Sequence, residues 1–267
     1  MAGRTAPISI TEPQRATHPF WTGAFRPLFL LAGLLAIVAV VWWVAGFVHG
    51  IATPSLGTGA WWHAHELIFG FGGAAIGGFL LTAIANWTSR PPISGVMLMA
   101  LTTSWLIGRL AIGFGEHLDP ALTIVGALVY FIFLLALGVR ELVAARNYRN
   151  MRVLAVISMI ALFDGLFVAA CLDVIALDPA MLYQTAILAI ILLIGLIGGR
   201  VIPAFTRNWM QREQINAPMP SMFGRFDMVC LASIALGIVA VILDPAGVIA
   251  GSVLLFAGIV HAIRLFR

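Results

Sequence analysis

The segment Trp61-Trp62-His63-Ala64-His65-Glu66 places two imidazoles and a carboxylate within one helical turn. Residues three apart share a helix face, so His63 and Glu66 point the same way, whereas His63 and His65, two apart, diverge. One histidine then reaches into a bundle while the other meets the interface or a second ligand site. Directly below, Gly70, Gly73 and Gly77 recur at spacings of three and four and clear the same face. Such a face permits close helix approach, and it also makes room for a flat macrocycle whose iron is held by a histidine above it. The plainer reading of the Trp and His residues is an interfacial belt at the headgroup level.

Arg109 is the other pointed residue. A guanidinium inside an apolar run requires a partner. Glu66 and Asp173 are the candidates within the protein, and a haem propionate, matched by the planar fork of donors, is the non-protein one. Asp164 falls in the middle of another apolar run, either protonated and hydrogen-bonded or part of a polar path. A second glycine-rich cluster runs Gly198-Gly199-Arg200-Val201-Ile202-Pro203-Ala204-Phe205-Thr206-Arg207-Asn208-Trp209. It echoes Gly77-Gly78 followed by Thr82, Asn86-Trp87-Thr88 and Arg90. The echo is either chance or the trace of a four-helix repeat, 27–139 and 152–265.

The elements that position these residues are membrane helices. The 267 residues are 61% hydrophobic and 10% charged, against about 45–50% and 25% for soluble domains. The apolar residues come in runs near the length that crosses a bilayer core. Their continuity argues against a β-barrel, whose strands alternate. Spans are expected at about 27–48, 65–86, 95–114, 120–139, 152–174, 181–201, 227–243 and 246–265: an all-α, polytopic bundle of eight transmembrane helices. Asp119-Pro120, Asp178-Pro179 and Asp244-Pro245 punctuate it. Residues 1–26 form a tail and 27–267 the membrane domain. With Pro, Glu and Thr before any apolar run, the tail does not read as a signal peptide.

All 15 basic residues are arginines, and all but Arg109 fall in the tail, the even-numbered connections or the C-terminal end. The odd-numbered connections carry Glu116, Asp119, Asp178 and Asp244 instead. The positive-inside rule therefore places both termini in the cytoplasm. Arginines distributed among loops give no nucleic-acid surface; the lipid bilayer is the expected partner. Cys171 and Cys230 lie in apolar runs and form no CxxC pair.

Trp62-His63-Ala64-His65-Glu66 with Phe69-Gly70-Phe71, Gly78-Phe79-Leu80-Leu81-Thr82-Ala83 ending in Asn86-Trp87-Thr88, and Gly199-Arg200-Val201-Ile202-Pro203-Ala204-Phe205-Thr206-Arg207-Asn208 together resemble the NnrS family of bacterial inner-membrane proteins. Phe25-Arg26-Pro27, Gly108-Arg109-Leu110 and Ala145-Arg146-Asn147 fit the same pattern. The resemblance implies a multi-pass haem- and copper-containing protein of the bacterial inner membrane, linked to the nitric-oxide response and protective under nitrosative stress, with nitric oxide or a related molecule as its small ligand. Family members are longer and carry further histidines in their C-terminal third, so the resemblance is to a C-terminally shortened member.

Of the histidines present, His63 and His65 are the expected metal or haem ligands, since neutral imidazole suits both iron and copper. Glu66 is expected to orient them, and Arg109 to neutralise a propionate. His49 and His117 are expected at the outer surface, His18 in the tail, and His261 in a structural role. The competing expectation is a cofactor-free transporter or channel for a small anion or protons, in which Arg109, Asp164 and Arg200 line a path.

Overall fold

A computed structural model describes residues 18–266; residues 1–17 of the expected tail, with Arg4 and Arg15, and Arg267 lie outside the described residues. Among these, eight helices are long and apolar enough to cross a membrane. They are α1 (Phe25–His49), α2 (Gly59–Thr88), α3 (Gly95–Gly113), α4 (Pro120–Ala144), α5 (Met151–Cys171), α6 (Pro179–Arg212), α7 (Arg225–Leu243) and α8 (Val248–Leu265). The expected all-α bundle and its number of spans are what the chain forms.

The helix starts obey local chemistry. Pro120 and Pro179 open α4 and α6, where a missing N–H costs nothing, and the Asp119 and Asp178 side chains accept from Ala121 and Ala180 N–H at 2.8 and 2.9 Å. The fourth helix ends at Ala144, five residues past the expected 139, and the fifth at Cys171, three short of 174; two elements depart further. The second helix starts at Gly59 instead of residue 65, because the Thr58 hydroxyl caps it by accepting from Trp61 N–H at 3.2 Å; both histidines of the motif are therefore helical. The sixth runs on to Arg212, past the expected end at 201, with Pro203 inside it.

Successive helices from α3 to α8 pack as antiparallel neighbours, and α2 packs on α1, α3 and α4. Small residues set the closest approaches. A Cβ on Gly126 would strike the Ala111 methyl, and one on Gly108 would stand 3.0 Å from the Gly126 carbonyl, so α3 and α4 meet almost backbone to backbone. Large apolar residues also cover the outside, among them Phe47, Val96, Leu243 and Phe266. Helices apolar on every side suit a lipid surround.

Candidate functional site

The core of the molecule holds an ionic chain within the membrane region. Glu66, at 2% exposure, accepts a hydrogen bond through Oε1 from Arg109 Nη1 at 2.8 Å. The adjacent His65, wholly buried, has Nε2 2.8 Å from Asp164 Oδ1, and its Nδ1 lies 3.4 Å from Glu66 Oε1. Three helices are thus tied together: Arg109 comes from α3, Glu66 and His65 from α2, and Asp164 from α5. Phe69 and Phe167 wall the imidazole, with ring centroids 5.3 and 6.2 Å away, and the Arg109 guanidinium lies over Trp105. Of the two partners expected for Arg109 within the protein, Glu66 is the one it meets.

A π-helical stretch, Glu66–Phe71, makes this geometry possible. One carbonyl within this turn and one just after it take side-chain donors from neighbouring helices, which suits polar backbone inside a membrane. Trp105 Nε1 donates to Gly70 O at 2.9 Å and the Tyr130 hydroxyl to Gly73 O at 3.0 Å. Such bulges recur at functional sites. Nothing in the periodicity of the sequence announces this one. The run Phe69-Gly70-Phe71-Gly72-Gly73, with weak helix formers together, is the local signal.

The two motif histidines part company. His63 turns toward α1, its Nδ1 3.3 Å from Ala39 O and its ring stacked on Trp43 at 4.4 Å, while His65 turns toward α5. The glycine face is filled by protein. A Cβ on Gly70 would collide with Arg109 Nη1 and Leu35, one on Gly77 with the Tyr130 hydroxyl, and one on Gly73 would stand 3.1 Å from Phe131. Of the two uses open to the glycines, the close approach of helices is the one realised here, and a flat macrocycle does not fit on that face in this arrangement.

Elsewhere, His49 and His117 are exposed at the end of α1 and in the connection before α4, and His18 caps a short 3-10 turn. His261 reaches the Cys230 carbonyl at 3.0 Å across the α7–α8 contact, in keeping with its structural reading. Among the described residues no group of three His, Cys, Asp or Glu side chains is arranged to hold a metal ion.

Charge counting defines what the buried chain can do. One guanidinium and one imidazole face two carboxyl groups there, two basic groups for two acidic ones. A net charge in a low-dielectric interior is costly. His65 Nδ1, Asp164 Oδ2 and Arg109 Nε are buried without a hydrogen-bond partner. A carboxylate behind one ring nitrogen is the arrangement that proteins use to orient a metal-binding histidine, and the Nδ1 side of His65 faces the Glu66 carboxylate that Arg109 holds. His63 and His65 turn to different helices and form no shared site.

No curated protein and no solved structure matches the chain. The family model described as NnrS protein matches residues 19–267, and it takes in all eight helices and the whole ionic chain. A sequence matched over that length, folded into these helices, belongs to the NnrS family.

Proposed function

We propose that this chain is a haem- and copper-linked membrane protein of the nitric-oxide response, seated in the bacterial inner membrane, and that its working centre is the chain Arg109–Glu66–His65–Asp164. The family supports the first part. One observation carries the second: His65 is completely buried and fixed at Nε2 by Asp164 at 2.8 Å, while its Nδ1 makes no hydrogen bond and lies 3.4 Å from the Glu66 carboxylate that Arg109 holds.

In this reading His65 Nδ1 is the ligand atom and Asp164 holds its ring, while Arg109 holds the Glu66 carboxylate beside that atom. Copper held there would supply an electron-exchanging centre. Phe69 and Phe167 exclude water from the ring. His63, with Nδ1 at the Ala39 carbonyl, offers its other nitrogen to a separate ligand on the α1 side.

A second reading draws on the same residues. A buried imidazole between two carboxylates can take up and release a proton, so the chain would serve a cofactor-free carrier. The visible spectrum and metal content of the purified full chain separate the two. A Soret band or stoichiometric copper, with the copper lost in His65→Ala, supports the first reading. A colourless, metal-free protein that moves protons or anions in vesicles supports the second and ends the first.

A further inference from the structure

At the arginine-rich end of the bundle a cleft of about 300 Å³ opens between α5 and α6, beside the end of α2. Arg149, Arg200, Asn150, Asn208 and Trp87 contribute to its lining. Arg200 lies roughly 30 Å along α6 from its start at 1.5 Å per residue, which is about the thickness of a hydrocarbon core. The cleft therefore sits where the bilayer core gives way to headgroups.

Its charge is positive and uncompensated. Among the described residues no carboxylate forms an ion pair with Arg149, Arg152 or Arg200; the nearby Glu141 is already held by Arg90 and Arg140 at 2.7 and 2.8 Å. Arg149 and Arg152 both bring their charge to bear on Arg200. What fixes Arg200 is neutral. Its Nη1 donates to Asn150 Oδ1 at 3.2 Å, Asn150 donates to Asn147 Oδ1 at 3.1 Å, and Asn147 donates to the Trp87 carbonyl at 2.9 Å. The far side of the guanidinium lies over the Phe223 ring at 5.5 Å. Asn150 is itself buried, at 4% exposure. Amides and a ring thus orient a guanidinium against the repulsion of its neighbours and leave its charge unspent.

We infer that this cleft binds a phosphate group. Arg149 and Arg200 in the lining, with the charge of Arg152 beside them, suit a tetrahedral oxyanion with several acceptor oxygens, which guanidinium forks grip in pairs, and basic pockets between membrane helices take anionic headgroups. The apolar part of the lining, Val153, Ile197 and Phe205, suits the acyl region of a phospholipid; the same arginines would hold free phosphate. The inference is independent of the metal reading of His65.

Thermal unfolding of the full chain in detergent tests it, with four additions compared: phosphatidylglycerol, phosphatidylcholine, inorganic phosphate, and sodium chloride at matched ionic strength. The expected result is a rise in melting temperature of several degrees with phosphatidylglycerol beyond the neutral phosphatidylcholine, lost in Arg149→Gln and in Arg200→Lys. A rise with inorganic phosphate beyond chloride, lost in the same variants, supports the site with a soluble source. Arg149 is exposed, so its substitution leaves folding intact. Arg212→Gln, which removes a charge paired with Glu213 away from the cleft, should respond as the unsubstituted protein does. The inference is overturned if neither addition stabilises, if both cleft variants respond fully, or if Arg212→Gln loses the response equally.

Discussion

Asp164 on α5 and His65 on α2, 99 residues apart in the chain, meet at 2.8 Å with neither side chain exposed to solvent. A carboxylate in this place orients the imidazole and sets the charge at its open nitrogen. Asp164→Asn keeps the shape and a hydrogen-bonding group and removes the charge. Copper affinity, read by competition with a chelator on the purified chain, should fall by about 10–100-fold, the usual effect of losing a partner behind a metal-binding histidine. His117→Ala should leave it unchanged. Equal copper affinity in Asp164→Asn would separate this pair from any metal role.

Arg109 and Glu66 should behave as one unit. Arg109→Met leaves a buried carboxylate unpaired and should lower unfolding stability by about 3–5 kcal/mol. Glu66→Gln alone strands the guanidinium and should cost a similar amount. The double variant Glu66→Gln/Arg109→Met should recover most of the loss, because neither member of the pair is left without the other. Guanidinium-free chemical unfolding in mild detergent measures all three, and simple additivity of the single losses would show that the two side chains are energetically separate.

The helices were legible because membrane spans write themselves as continuous apolar runs, and the Asp-Pro pairs before α4 and α6 mark their starts through capping chemistry. Arg109 was legible as a residue in need of an acid, and Glu66 was named for it. What the sequence did not yield was the direction of each imidazole. A simple 100° step per residue cannot say that a π-helical stretch follows His65, nor that Trp43 is placed to stack on His63. Asp164 stood out as a costly buried acid without revealing its partner, since the α2–α5 contact is set by packing across the bundle. The glycines illustrate the same limit: their spacing fixes a smooth face, and only the neighbouring helices decide that Tyr130 and Phe131 fill it.

Membrane orientation follows from the arginine count and has a direct test. A reporter fused after Arg146 should be active in its cytoplasmic form, and one inserted between Pro54 and Gly59 in its periplasmic form. The connection at Arg146 already turns on a left-handed residue, with φ of 54°, and residues 51–58 precede the Thr58 cap, so neither fusion interrupts a helix. Opposite activities would invert the map and place the Arg149–Arg200 cleft on the outer side.

The last prediction concerns Gly77. A Cβ there meets the Tyr130 hydroxyl, which is held in place because it donates to the Gly73 carbonyl at 3.0 Å. Gly77→Ala should therefore destabilise by about 1–3 kcal/mol, the common cost of overfilling a packed interior, despite alanine's better helix propensity. Tyr130→Phe alone removes the bond to the Gly73 carbonyl, just after the π-helical stretch, and should cost about 1–2 kcal/mol. Because it also removes the atom in the way, Gly77→Ala/Tyr130→Phe should be less destabilised than the sum of the two. Gly33→Ala, where a Cβ meets nothing within 4 Å, should be neutral or stabilising. If Gly77→Ala matches Gly33→Ala in thermal unfolding, the α2–α4 contact is looser than the packing of Tyr130 implies, and the glycine face regains the room that a planar ligand would need.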